Sequence, residues 1–308
     1  MVLRRFKERR QKARNDDLFD EAFMAKLEYL DIVAKKAFLG SMRGERRSKK
    51  LGAGLEFADH RRYSPGDDFK NIDWNVYARM GRLLIRMYEE EEDLYVYVII
   101  DTSKSMALGD RQKFNYARKM AAALSYITLS NMDRASILPF TEKLNTEEGM
   151  RPSRGKAQIF RMFDMLTKLE ADGKTNLHET LKSFVHQTKR RGLVVVISDF
   201  YDPDGYEDGL NLLRYHRFEP FVIHLTDERE LNPSMRGDVL VVDCETGAQR
   251  EVTLTPRVLA KYRKAYEAWC EELETFCKKR ALSYFRTPIQ VPFDDLMLRI
   301  FRAGGFLR

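Results

Sequence analysis

The feature that most constrains this chain is Leu94–Ile100, seven apolar residues in a row that end on Asp101. A short, β-branched run without alternation fits a strand buried on both faces, as in the middle of a parallel sheet. Hydroxyls follow it: Thr102, then Ser103 and Ser105 at alternate positions. Hard oxygen donors therefore stand at a strand's carboxyl end, where open α/β sheets bind ligands. Asp and Ser also cap helices, and this stretch alone does not separate the two uses.

Downstream, strand-like and helix-like patterns alternate. Helices are expected over Phe114–Ser130, Lys156–Leu169, Leu177–Thr188, Asp208–Phe218, Val258–Arg280 and Asp294–Phe301. Strands are expected at Ala135–Phe140, Leu193–Ser198, Phe221–Thr226 and Leu282–Arg286, with a hairpin of Val239–Val242 and Glu251–Leu254 joined through CETGAQR. Such alternation implies a three-layer, Rossmann-type α/β fold with a largely parallel central sheet flanked by helices. Upstream, apolar positions from Leu18 to Val33 recur at three- and four-residue intervals, which predicts an amphipathic helix over 15–39, ended by Gly40. Residues 41–54 read as a Gly-rich basic connector, and Leu83–Tyr88 as a strand. The acidic run Glu89–Asp93 reads as a solvated segment or one facing a basic partner.

Charge is unevenly placed. Residues 1–50 hold 15 Lys and Arg against 8 Asp and Glu, whereas the other 258 residues hold 39 of each sign. The net +7 thus belongs to an N-terminal arm. A basic arm suits nucleic acid, an anionic lipid surface or an acidic partner, but no aromatic interleaving accompanies it, and nucleic acid is not the expected ligand. Apolar runs are strand-sized, well short of the ~18 residues of a membrane span. No apolar segment follows the basic N-terminus as in a secretory signal. Cys244, Cys270 and Cys277 lack metal-ligand spacing, and the last two, seven apart on one predicted helix, read as packing residues. A cytoplasmic protein is expected.

Oxygen chemistry recurs at three places: Asp101, Ser103 and Ser105; Thr175 in ADGKTNL, just before a helix; and Asp199, after the second buried run. Two carboxylates and three hydroxyls form a donor set that suits Mg²⁺, with Mn²⁺ or Ca²⁺ as alternatives. The order Asp-x-Ser-x-Ser, Thr, Asp resembles the metal-ion-dependent adhesion site (MIDAS) of von Willebrand factor A domains. The segment from Gly52 to Met106 is also similar to the signature of the DUF58 family. The matching parts are Glu56-Phe57, Arg62-Tyr63, Pro65-Gly66-Asp67-Asp68, Ile72-Asp73-Trp74 and Tyr77-Ala78-Arg79. Members of that family carry N-terminal membrane segments, and this chain is expected to be a short soluble form.

The resemblance implies three parts: a basic helical arm (1–51), the signature segment (52–93) packed on the main domain, and a von Willebrand factor A-like domain (94–308). It also implies partnership with a MoxR-type AAA+ ATPase, as adaptor or substrate-recognition partner. Asp67, Asp68 and Asp73 with Arg61, Arg62 and Arg79 suggest either buried ion pairs that fix the signature segment or a second acidic site; the structural role is favoured.

Three functions follow. The first is a metal-dependent interaction module, in which Asp101, Ser103, Ser105, Thr175 and Asp199 hold the ion and one coordination position takes a carboxylate of an acidic protein ligand. The second is a metal-dependent phosphohydrolase or nuclease using the same acids, and the third a scaffold whose site is vestigial. The cluster offers only two carboxylates and no clear general base, which favours binding. Gly173-Lys174-Thr175 lacks the Gly five positions earlier that a phosphate-binding loop needs, because position 168 is Lys. His178-Glu179 lacks the second His of a zinc-protease helix, because position 182 is Lys.

Overall fold

The computed structural model describes residues 18–41, 47–51, 56–91, 94–107, 112–293, 295–297 and 299. These divide into two compact units: Lys36–Asp93, and the described residues up to Lys35 together with those from Leu94 onward.

Helix α1 (Glu21–Ser41) starts in the larger unit, where Leu18, Phe23, Leu27 and Leu30 are buried at the expected spacing. It runs through Gly40 rather than ending there. In the smaller unit, β1 (Arg47–Leu51) and β2 (Glu56–Arg62) precede helix α2 (Trp74–Met80) and β3 (Leu84–Glu91). The three strands form an antiparallel sheet of order β1-β3-β2. The expected connector thus contains a strand, and residues 47–51 of the arm share a sheet with the signature segment. Much of the acidic run is also strand: register sets Glu91 opposite Arg47 and Glu89 opposite Lys49. A local pattern could not show this, because the paired strands lie some forty residues apart in the chain.

The acidic residues of this unit serve it locally. Asp67 accepts from Arg61 Nη2 at 2.6 Å and from the Ser64 amide at 2.8 Å. Asp68 accepts from the Lys70 amide at the start of a 3-10 turn. Asp73 caps α2 through the Asn75 and Val76 amides and meets His60 Nε2 at 3.0 Å. The expected buried ion pairs are therefore partly exposed caps and pairs, with Arg61, His60 and Arg86 as partners.

The larger unit contains β4 (Tyr95–Asp101), α3 (Gln112–Ser130), β5 (Arg134–Phe140), β6 (Met150–Arg154), α4 (Gln158–Lys168), α5 (Leu177–Gln187), β7 (Leu193–Ser198), α6 (Glu207–Tyr215), β8 (Glu219–Thr226), α7 (Glu228–Leu231), β9 (Gly237–Val242), β10 (Gln249–Leu254), α8 (Pro256–Lys279) and β11 (Ser283–Pro288). The sheet order is β11-β8-β7-β4-β5-β6, parallel except for the antiparallel edge strand β6. Strands β9 and β10 form the separate hairpin. Of the helix expected over 294–301, residues 295–297 and 299 are described and are helical.

The two unbroken apolar runs take the two central places. Tyr97 and Ile99 of β4, with Val194 and Val196 of β7, join a cluster completed by Leu181, Phe184, Leu210, Leu213 and Leu273 from α5, α6 and α8. Helix α3 covers β4, β5, β7 and β8, with Ala117, Ala121 and Ala122 fully buried. Val194–Ile197 are completely buried, and each such side chain gains roughly 1.5–3 kcal/mol by leaving water. Entry to β7 requires glycine: a Cβ on Gly192 would lie 2.1 Å from the Tyr95 carbonyl oxygen. Cys270 and Cys277 are buried in α8 as free thiols. No helix among the described residues is long and apolar enough to cross a membrane.

Candidate functional site

From β4 the chain steps to β5 and β6 on one side, then returns to β7 on the other. This reversal opens a crevice at the carboxyl ends of β4 and β7, the place where open α/β sheets bind ligands. Asp101 ends β4, and Ser198-Asp199 ends β7.

Asp101 is fully buried. Its Oδ1 accepts from the Ser103 amide at 2.9 Å, and its Oδ2 from the Ser198 hydroxyl at 2.5 Å. The amide bond folds the backbone so that the Ser103 and Ser105 hydroxyls come within 3.0 Å of each other. Among the described residues no cation pairs with this carboxylate. Burial, and then the neighbouring Asp199 charge, push its pKa up to about 7 against the donors that favour ionisation.

Asp199 is equally buried but paired: Lys113 Nζ, from the first turn of α3, lies 2.7 Å from its Oδ2. The same ammonium lies 2.6 Å from Glu230 Oε1. Burial works against the Lys113 charge, yet the Asp199 and Glu230 carboxylates outweigh it and hold the lysine above its ordinary pKa. Phe200, next in the chain, is buried with φ of 59°. A bulky residue in the left-handed region is sparsely populated and marks a strained turn. The Phe200 amide donates to Ser198 Oγ, which ties that turn to the Asp101 donor.

The loop that leads to Thr175 is tied to the turn after β4. The Asp172 amide donates to the Thr102 carbonyl at 2.8 Å, and the Lys104 amide donates to the Gly173 carbonyl at 3.1 Å. The Thr175 side chain meets Glu245, in the β9–β10 turn, which accepts from Thr175 Oγ1 and from the Thr175 amide, both at 3.1 Å. The Asp199 charge also reaches neighbouring Cys244 and helps raise its pKa, behind burial and the adjacent acids. An open groove of about 810 Å³ runs beside Thr175 and Glu245, with Lys143, Lys174 and Glu179 in its wall.

The structure therefore gathers Asp101, Ser103, Ser105 and Asp199 at one crevice and ties the Thr175 loop to the turn after β4. Sequence reasoning missed Ser198, Lys113 and Glu230, and it marked Glu245 only within the stretch DCETG (243–247), a looser part of the family resemblance, without a role. Ser198 was within reach, because it directly precedes Asp199 at a buried strand end. Lys113 and Glu230 carry no local signal. Among the described residues no group of three His, Cys, Asp or Glu side chains forms a metal cluster, and the expected set is mostly hydroxyls. The set suits a hard cation. The Ser103–Ser105 and Thr175–Glu245 oxygens, 3.0 and 3.1 Å apart, are hydrogen-bonded to one another.

Fold and site define an α/β protein with a buried oxygen-donor crevice at its topological switch point. Residues 59–272 match the family described as protein of unknown function DUF58, and the chain belongs to that family. The uncharacterized protein Rv1480 of Mycobacterium tuberculosis is 26% identical over 255 residues, which cover 82% of this chain and 80% of its own. A second uncharacterized protein, from Mycobacterium avium, is 35% identical over 80 residues, 26% of this chain and 47% of its own. Among solved structures, the conserved hypothetical protein BatB of Bacteroides thetaiotaomicron aligns over 69% of this chain and 99% of its own, with a TM-score of 0.42 and 11% identity. An aerotolerance-related membrane protein of Bacteroides fragilis aligns over 69% and 98%, with a TM-score of 0.44 and 12% identity.

Proposed function

We propose that this chain is a metal-dependent protein-interaction module with a von Willebrand factor A-like domain, acting in the cytoplasm as adaptor or substrate-recognition partner of a MoxR-type AAA+ ATPase. Asp101, Ser103, Ser105, Thr175 and Asp199 would hold Mg²⁺, directly or through water. A bound Mg²⁺ supplies a Lewis-acidic position for a carboxylate from an acidic partner. The observation that carries the reading is Asp101: a buried carboxylate answered by hydroxyl and amide donors, with no cation beside it among the described residues. Such a group needs a proton or a cation, because an isolated buried charge is costly.

The protein's own residues divide the remaining tasks. Ser198 and the Ser103 amide fix the orientation of Asp101. Lys113 neutralises Asp199, so the metal faces less than two full negative charges and keeps its attraction for an outside carboxylate. The ATPase partnership and the interaction role rest on the family resemblance. The test is a pull-down from cytosol with and without Mg²⁺, scored for an AAA+ ATPase. Capture that disappears in EDTA and in Asp101→Ala, with the circular dichroism of the variant unchanged, is the expected result. Undiminished capture in excess EDTA overturns the reading.

A further inference from the structure

The β9–β10 hairpin is held at its ends and open between them. At the turn, Asp243 Oδ1 accepts from the Glu245 and Thr246 amides, and Glu245 accepts from Thr175. At the base, Thr255 caps α8, its hydroxyl accepting from the Val258 amide at 3.3 Å. Between these anchors β9 carries Val239-Leu240-Val241-Val242, an unbroken apolar run. Successive strand residues face opposite ways, and Leu240, Val241 and Val242 are 53, 46 and 50% exposed. Neither face of the ribbon is therefore covered over this stretch, and a two-stranded hairpin without cover is marginal in water.

The free edge can be read residue by residue. The Asp243 amide donates to the Ala248 carbonyl, and the register sets Val242 opposite Gln249 and Val241 opposite Arg250. Antiparallel bonding alternates along a strand. Val239 and Val241 thus bond inward to β10, whereas Asp238, Leu240 and Val242 turn their amides and carbonyls outward. Among the described residues no strand pairs with that side of β9. An apolar edge with unmet backbone groups is a template for a further strand.

We infer that β9 is an acceptor edge for an extended segment of a partner protein, which adds as a third strand and carries alternating β-forming residues between basic ends. Charge sets those ends. Asp238 and Asp243 bracket the apolar run, and across a strand pair opposite charges are favourable and like charges destabilising. A second copy laid antiparallel over the same run would set Asp238 opposite Asp243, acid against acid at both ends. The inference does not rest on the metal reading, because the acceptor edge contains none of the expected metal ligands.

The probe is a short blocked peptide of alternating valine and threonine between terminal lysines, added to the full chain in EDTA. Binding is read from the anisotropy of the labelled peptide, and amide-resolved hydrogen exchange locates it. The Asp238, Leu240 and Val242 amides are expected to slow on binding, while those of Val239 and Val241, already bonded to β10, keep their rates. Leu240→Pro removes one outward donor, leaves the inward ladder intact and should abolish binding. A peptide N-methylated at every internal amide should fail to bind the unaltered chain. Glutamates in place of the terminal lysines should weaken binding roughly ten-fold at low salt. Absence of peptide binding, binding that leaves the outward amides unprotected, or equal binding of the methylated peptide overturns the inference. Equal binding of the glutamate-ended peptide overturns the basic occupant. Protection of the outward amides without peptide, rising with protein concentration alongside a dimer, overturns it in favour of a second copy.

Discussion

Asp101 and Asp199 close two neighbouring strands of one sheet, are equally buried, and are answered in opposite ways. Asp199 has a lysine on it, shared with Glu230. Among the described residues Asp101 has hydroxyl and amide donors from Ser198 and Ser103 and no cation. The first is already paired with a cation of this chain. The second is a carboxylate whose ionised form is held back by burial and by its neighbour. Position at a strand end therefore does not set a carboxylate's charge balance; the counter-charge decides. Asp199 brings a cation of this chain to the crevice, and Asp101 awaits a proton or a cation.

The comparison breaks most directly at Lys113. Lys113→Met leaves the buried Asp199 and the part-buried Glu230 without their cation and is expected to cost about 3–5 kcal/mol, read as a lower urea midpoint. An unchanged midpoint would mean that the pair contributes nothing and that the two aspartates do not differ.

Next comes Asp101→Asn, in EDTA. The Asp101 pKa is raised from 3.8 to about 7 in the folded state, so the folded chain retains a proton that the unfolded chain releases. Its contribution is therefore fully present below about pH 4 and is lost as pH rises through about 7. The asparagine variant should lack this slope and exceed the parent at pH 8 by roughly 2–4 kcal/mol, an order-of-magnitude figure from the shift. Saturating Mg²⁺ should offset the same slope in the parent. Matching pH profiles for parent and variant would contradict the difference between the two ends.

His224, on the strand beside β7, sets the opposite limb. It is buried against Phe200 and Trp269, its Nδ1 meets the Tyr284 hydroxyl at 2.9 Å, and burial lowers its pKa to about 3. Its contribution is complete above about pH 6.5 and is lost as pH falls toward 3. His224→Phe should remove about 1–2 kcal/mol of the stability lost between pH 6.5 and 5, measured by urea titrations at the two values.

The smallest effect is expected for Asp67→Asn in the other unit. That carboxylate is held below its ordinary pKa by the Ser64 amide and by Arg61, but the pair is open to solvent, where ion pairs contribute little. Its melting shift should fall well below that of Lys113→Met in the same buffer.

Much of the fold was legible because burial leaves a local record. The unbroken runs Leu94–Ile100 and Leu193–Ile197 specify strands covered on both faces, and they became the adjacent centre of the sheet. Helices α3, α5 and α8 began and ended within two residues of their expected limits. Short elements with mixed faces were not legible. β6 reads as MRPSR, with proline and little apolar content, and owes its place to pairing with β5. β1 reads as a basic linker and becomes a strand only beside the acidic β3.

The candidate site divides in the same way. The sequence by itself determined which oxygen donors stand at which strand ends, because chain order and hydrophobic period are local properties. Only the tertiary structure decided what faces them. Lys113 meets Asp199 across 86 residues, Ser198 meets Asp101 across 97, and Glu245 meets Thr175 across 70. Partners of that kind are chosen by which strand ends and turns the sheet order brings side by side, and no window of sequence contains that choice. Asp101 was the last residue of a buried run on reading; folding made it the one of two equal carboxylates without a paired cation.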